Sequence, residues 1–306
     1  MSRSPGGYIG FNRTPTESAG SGAWTLKEAQ QYKRAGTWPR AQYLSDLVAG
    51  TVHGLYSVRL ARAAYSGSLL RIKRSSDNAQ LDVPADYAGV SAWIGGSSAT
   101  AVKWYDQSGS GAHLDSTGSE PTFTLAGEAG SNYQPFITVS ATARFSGTIA
   151  DLDGNTNALV SAIVAPIGSQ SSGTNKVDRA IAYIAETGAW GSISLSVLNS
   201  EIAWRFGTGF AGNSPSRSRS PSSNSWCVGT ISKVSGIETA YVNGVQLGFS
   251  HSNANTLQNS GTTLAVGGGD TAGGPDAKIC ELIVCVNPGS GNDVRVAQNQ
   301  AALLGL

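Results

Sequence analysis

The sequence predicts an all-β protein built as a two-sheet antiparallel sandwich, with a short helix near each end of the chain. Three observations predict it. Short segments that alternate apolar and polar residues recur from about residue 52 to 286, which is the period of half-buried strands. Turn residues separate them, and glycine fills 39 of 306 positions. One segment, ALVSAIVAPI (158–167), is apolar on both faces, as a central strand covered on both sides must be. Many short strands between turns form a sandwich more readily than a parallel α/β sheet.

The elements follow in order. Residues 1–22 are Gly, Ser, Pro and Thr with a few aromatics and read as extended. In AWTLKEAQQYKRAGTWP (23–39), Thr25 and Glu28 have the spacing of a capping box. Trp24 before the cap and Ala29 after it fit a hydrophobic staple. Gly36 and Pro39 stop the helix, so it spans about 26–35. Ten residues of isolated helix are marginal in water, so this one needs a surface to pack on. Residues 1–50 are therefore read as an attachment segment and 51–306 as the sandwich.

LYSVRLARAAY (55–65) fits helix or strand, whereas SLLRIKRSS (68–76) sets Leu70 and Ile72 against Arg71 and Lys73. ATAVKWYDQ (99–107) is a strand that breaks at Asp106, and RAIAYIAE (179–186) is another. SISLSVL (192–198) places Ile193, Leu195 and Val197 on one face and Ser192, Ser194 and Ser196 on the other. IAWRFG (202–207) turns Ile202, Trp204 and Phe206 inward and Arg205 outward. IETAYVNGVQLGFS (237–250) is a hairpin closed by Asn243-Gly244, the pair a type I′ turn favours. TLAVGGGD (263–270) and AKICELIVCV (277–286) are further strands. Ser290 and Asp293 then form a weak capping box, and Val294, Ala297, Ala301 and Leu304 share one face of a closing helix. NSPSRSRSPSSNS (213–225) reads as an exposed loop.

Composition narrows the function. Lys plus Arg is 21 against 20 for Asp plus Glu, so the basic excess of a nucleic-acid binder is missing. Charged residues are only 13%, and a weakly charged surface favours association, so a homo-oligomer is expected. MSRSPGGYIG has no apolar core of a secretory signal, and no run reaches the ~18 apolar residues of a spanning helix; no membrane partner is expected. Cys227, Cys280 and Cys285 form no CxxC, and the odd count argues for buried free thiols. Cys280 and Cys285, five apart on one strand, fall on opposite faces. His53, His113 and His251 are scattered, and GGGD (267–270) follows no βαβ pattern. Neither metal nor cofactor is expected.

VKWYDQSGSGAHL (102–114) carries the sharpest question. Hydrolysis of a glycoside needs two carboxyl groups about 5–10 Å apart. Asp106 supplies one, and Glu186, at another strand end beside Trp190, is the other acid to consider. A calcium loop of the EF-hand kind needs several carboxylates where DQSGSG has one. The alternative is that Asp106 and Ser108 bond back to the backbone, the glycines form φ > 0 corners and Trp104 anchors the turn in the core. Expected catalytic residues are none. The polar strand face, Ser192, Ser194, Ser196 and Arg205 with Trp190 at its edge, is a candidate sugar platform, because hydroxyls, a guanidinium and an indole are what sugar recognition uses.

LLRIKRSSDNAQLDV (69–83) followed by VKWYDQSGSGAHL resembles the opening of the concanavalin A-like sandwich of fungal-type α-L-arabinofuranosidases. The same pair occurs in bacteriophage virion proteins with a laminin-G-like jelly roll. ETAYVNGVQLG, LAVGGG and the closing strand and helix resemble later parts of that jelly roll, so the likeness covers about residues 55–306. It implies the jelly-roll fold. The enzymes' adjacent Cys-Cys pair has no counterpart here, and their nucleophilic Glu maps onto Glu186 only loosely. SGAWTLKEAQQYKRAGTWP is similar to a segment of phage tail and other virion proteins. Together the likenesses imply a non-enzymatic virion protein, assembled in the host cytoplasm: a tail fibre, baseplate appendage or capsid decoration. It would be held to other virion proteins by its N-terminal segment and would display a lectin-like domain toward host surface carbohydrate. An arabinofuranosidase-type glycoside hydrolase and a ligand-free spacer are the alternatives.

Overall fold

The computed structural model describes residues 13–16, 19–21, 27–28, 30–31, 43–167, 181–186, 189–197, 201–206, 216–218, 225–252, 257, 262–267 and 276–306. The chain divides into two units, Met1–Tyr43 and Leu44–Leu306. In the first, β1 (Arg13–Thr16) pairs antiparallel with β2 (Ala19–Ser21). Lys27, Glu28, Gln30 and Gln31 are helical, within the expected span of 26–35; the other residues of that span lie outside the described residues.

The second unit is an antiparallel sandwich. Its strands are β3 (Thr51–Ser57), β4 (Leu70–Arg74), β5 (Gln80–Val83), β6 (Ala99–Trp104), β7 (Leu114–Gly118), β8 (Thr122–Thr124), β9 (Phe136–Val139), β10 (Ala143–Thr148) and β11 (Ala158–Pro166), followed by β12 (Ala182–Glu186), β13 (Ala189–Val197), β14 (Glu201–Phe206), β15 (Ser216–Ser218), β16 (Cys227–Val234), β17 (Ile237–Val242), β18 (Val245–Ser252), β19 (Thr263–Val266) and β20 (Ala277–Val286). A short helix α1 (Val90–Ile94) and a longer one α2 (Asn292–Leu304) complete it.

One layer runs β18–β17–β16–β11–β20. The far edge of β20 is shared by β3 along Glu281–Val286 and by β9 along Ala277–Ile279. The other layer runs β5–β4–β6–β7–β10–β19–β12–β13–β14–β15. β8 joins β6 to β9 and so links the layers along one side. The Arg-Ser stretch read as loop contributes β15, which extends the second layer by one short edge strand.

Between the layers lies the main core. Trp104 is fully buried, 5.8 Å from both the Tyr56 and Phe145 rings. β16 approaches β13 and β14 so closely that a Cβ on Gly229 would stand 2.5 Å from Val197. All nine residues of β11 are buried, as its two-sided apolarity requires. A second core lies on the outer face of the first layer, where Leu44, Leu47, Leu55, Leu159, Ile283, Cys285 and Val296 pack together. Cys280 packs in the main core and Cys285 in this second one, on opposite faces as the spacing dictates. Burial pushes the Cys285 thiol up to about 12.

α2 lies over the outer face of the first layer. Its buried side is Asp293, Val296, Ala297, Gln300, Ala301 and Leu304, one step around from the expected stripe. The expected capping box is absent: Gly291 is the N-cap and no side chain caps it. Asp293 instead accepts hydrogen bonds from the Ser232 and Tyr241 hydroxyls, fastening the helix to the sheet. At the β17–β18 turn, Asn243 and Gly244 take φ of 53° and 78°, the left-handed pair that a type I′ turn needs.

Candidate functional site

The Trp-Tyr-Asp-Gln corner is a fastening. Asp106 is 2% exposed. Its Oδ1 accepts from the backbone N–H of Leu55 and of Ser108, both at 2.9 Å. Its Oδ2 accepts from the Ser108 and Ser110 hydroxyls and from the Gly111 N–H. Five donors leave the carboxylate no capacity for a substrate. Gly109 and Gly111 supply the positive-φ corners, at 89° and 76°. Gln107, fully buried, accepts from the Ala61 N–H and donates to the Ser57 and Arg59 carbonyls. The two side chains thus satisfy backbone groups along and just beyond β3 that no neighbouring strand reaches.

The expected sugar platform is placed differently. Ser194 and Ser196 are buried, at 1% and 0% exposure, as are Ile193, Leu195 and Val197. The alternation is present, but both faces of β13 are covered, so the expectation of a water-facing serine row is corrected. Serine is small enough to be shut in where a larger polar group would not be. Among the described residues the Ser194 hydroxyl has no hydrogen-bond partner. Trp190 and Ser192 lie on β13, and Arg205 pairs with Ser194 from β14; their side chains lie outside the described residues, as does that of Glu186.

One end of the sandwich gathers acids. Thr148 of β10 and Ala185 of β12 both pair with Thr263 of β19, so the three strands share an edge there. Glu186 follows on β12, where it pairs with Ala189 at the mouth of the β12–β13 hairpin. From β10 the loop 149–157 carries Asp151 and Asp153 across to β11. The β16–β17 turn lies at the same end, because Lys233 pairs with both Ala158 and Glu238.

Here the hairpin reverses the usual pattern. Ile237 is 39% exposed while Glu238 and Lys233 are 2% and 0% exposed. The Trp204 indole N–H, from the opposite layer, donates to Glu238 Oε2 at 3.3 Å. Burial pulls the Lys233 amine down from its ordinary value, with the Glu238 carboxylate opposing. Sequence reading assigns no element to 226–236 and so does not reach this hairpin. The signal it passed over was a Lys and a Glu flanking that turn at positions in phase with Ile231 and Ala240. Among the described residues, no three His, Cys, Asp or Glu side chains form a group suited to a metal ion, and no helix is long and apolar enough to cross a membrane.

The outer face of the second layer is polar elsewhere too. On it Arg71 makes a bidentate ion pair with Asp82, at 2.8 and 2.9 Å. The Tyr105 hydroxyl donates to the same carboxylate at 2.7 Å. Asp82 is held below its ordinary value, first by the Arg71 hydrogen bond and then by that of Tyr105, against desolvation. The Tyr105 phenol is pushed up to about 12 by desolvation and by Asp82.

No family model matches the chain, and no curated protein matches it. Solved structures do. An arabinofuranosidase complexed with arabinofuranosyl-α-1,2-xylobiose is similar over 85% of this chain and 64% of its own, with a TM-score of 0.64 and 15% identity. A mutant GH54 α-L-arabinofuranosidase soaked with 4-nitrophenyl α-L-arabinofuranoside matches over 82% and 63%, with a TM-score of 0.63 and 15% identity. The receptor-binding domain of botulinum neurotoxin type G gives a TM-score of 0.47 at 13% identity, over 65% of this chain and 48% of its own. The chain thus spans somewhat under two thirds of the arabinofuranosidases it resembles. The likeness establishes the sandwich fold. It also overturns the expectation of a chain without enzymatic activity, because the fold found over most of this chain is one that glycosidases use.

Proposed function

We propose that the sandwich is a glycoside hydrolase of the arabinofuranosidase type, acting on arabinose-bearing glycans. The observation that carries the reading is the likeness to arabinofuranosidases over 85% of the chain. The acid-rich end of the sandwich supports it. Glu186 is one of the two carboxyl groups that hydrolysis requires; Asp106, with its five donors, is not the other. The two strands that flank β19 are each closed or followed by an acid at this end: β10 by Asp151 and β12 by Glu186. The partner of Glu186 is drawn from Asp151 and Asp153, on the loop that leaves β10 at the same end. Trp190 and Ser192, at the start of β13 beside that hairpin, would meet the sugar; the buried Ser194 and Ser196 would not.

The test is release of 4-nitrophenol from 4-nitrophenyl α-L-arabinofuranoside. The parent protein turns it over, Glu186→Gln lowers kcat by about 10²–10⁴-fold, and substitution of Asp151 or Asp153 by Asn identifies the second acid. A parent protein inactive on this substrate and on natural arabinosides ends the reading.

A second element rests on the N-terminal unit. Met1–Tyr43 stands as a unit of its own, and its Trp24 to Pro39 stretch resembles a virion segment. In this reading the unit holds the sandwich, as a homo-oligomer, to other proteins of a phage particle, where the sandwich meets host surface carbohydrate.

A further inference from the structure

The strand registers of the second layer place one residue from each of nine strands in a single row. Asp82 pairs with Arg71, Arg71 with Lys103, Lys103 with Asp115, and Asp115 with Ser146. The row continues from Ser146 to Ala265, Tyr183, Ser194 and Arg205. The candidate sugar residues Ser194 and Arg205 are therefore the far end of a row that crosses almost the whole layer and is polar except at Ala265. Its near half, on β5, β4, β6 and β7, lies open. Asp82 and Asp115 are exposed and Arg71 and Lys103 half-buried, while Leu70, Ile72, Trp104 and Leu114 point into the core.

At that open half stands a fixed aromatic ring. Tyr105 donates to Asp82, carries the Arg71 guanidinium 5.9 Å from its ring centroid, and meets His113 edge-on at 5.1 Å. His113 is itself oriented, because the Asp106 N–H donates to its Nδ1; its other nitrogen therefore carries the proton as a donor. The Asp106 corner thus sets this surface as well as β3. The chemistry selects the ligand. Arg71 with Asp82 and Lys103 with Asp115 are ion pairs, so the patch presents no net charge to an anionic polymer. Large apolar side chains are exposed, among the described residues, at Tyr133, Ile237, Val245 and Leu306, none of them in this row, so it lacks the apolar centre of a protein interface. A rigid half-exposed ring among paired charges, hydroxyls and a ring N–H suits a neutral polyol.

We infer that this face, centred on Tyr105 with Arg71, Asp82 and His113, is a binding surface for a neutral polysaccharide chain, separate from the acid-rich end. β6 and β12 are four strand steps apart, about 19 Å at the usual spacing, so one chain can lie on Tyr105 while a side branch reaches the hairpin of Glu186. That coupling rests on the glycosidase reading; the surface itself does not.

Two measurements on the full chain separate them: turnover of 4-nitrophenyl α-L-arabinofuranoside against soluble arabinoxylan, and retardation in native gels containing arabinoxylan. With that ring removed, Tyr105→Ala should raise KM for arabinoxylan about 2–10-fold and leave the small substrate unchanged. Tyr105→Phe, which keeps the ring, should retain gel retardation, and unchanged melting of both variants excludes misfolding. If the parent hydrolyses nothing yet is retarded, and Tyr105→Ala abolishes retardation, the surface stands and the glycosidase reading falls. If the parent is active and Tyr105→Ala behaves as parent on the polymer, the surface is refuted. Absence of retardation in arabinoxylan, or stronger retardation in a polyuronate gel, refutes it as well.

Discussion

Replacing Asp106 with Ala separates a fastening from a catalytic acid. The carboxylate accepts five hydrogen bonds, three from backbone N–H groups and two from hydroxyls. The Leu55 N–H, at a fully buried residue, has nowhere else to turn, whereas the Ser108 and Ser110 hydroxyls and the loop N–H groups can reach water. A hydrogen bond to a charged group contributes about 1.5–3 kcal/mol, and a buried donor left alone costs about 1–3 kcal/mol, so the truncation costs about 4 kcal/mol. In a domain of this size that lowers Tm by roughly 8–16 °C. Urea unfolding followed by tryptophan fluorescence reads it, as a lower midpoint at unchanged slope. Asp106→Asn, which keeps an acceptor at one oxygen, should fall between parent and Ala. A loss under about 1 kcal/mol would refute the account, since five bonds worth so little could not be why the residue is there.

The buried Lys233 and Glu238 pair should behave as costly charges. Lys233→Met alone removes the cross-strand cation from a buried carboxylate and should destabilise by about 3–5 kcal/mol, while Lys233→Met with Glu238→Gln should be neutral or stabilising in the same urea assay. Because the Lys233 amine is held below its unfolded value, the unfolded chain binds the proton more tightly. Parent stability should therefore rise with pH from the lowered native value up to about 10.4, and the double variant should lose that rise. Deletion of residues 1–43 should leave the sandwich melting as in the full chain, since Leu44 and Leu47 of its second core remain. If the chain is virion-borne, the truncated form should fail to join particles in a co-assembly assay; normal incorporation would dismiss the attachment role.

Much of the fold was legible because period and turn chemistry agree. The hairpin at Asn243-Gly244, the two-sided β11 and the opposed faces of Cys280 and Cys285 each follow from spacing alone. What the sequence hides is what covers a face. Ser194 and Ser196 alternate with apolar residues as a wet strand does, and yet both are buried. The outer faces of β11 and β20 are dry for the same kind of reason: α2 and the turn at Leu44–Leu47 close over them. The role of Asp106 was legible too, since a short acid among glycines and serines bonds locally. The polar row was not, because it is assembled from nine strands whose order no local pattern discloses.

β20 lies between β11 on one side and β3 and β9 on the other, so the strand that ties β3 and β9 to the rest of the layer, residues 277–286, is the last of the described strands. A ribosome emitting this chain would hold β3, β9 and one edge of β11 open until residues 277–286 had emerged. Such long-range closure is slow and leaves sticky strand edges exposed in the meantime. Yield in a heterologous host should therefore depend on chaperone supply and growth temperature more than on the strength of the finished fold.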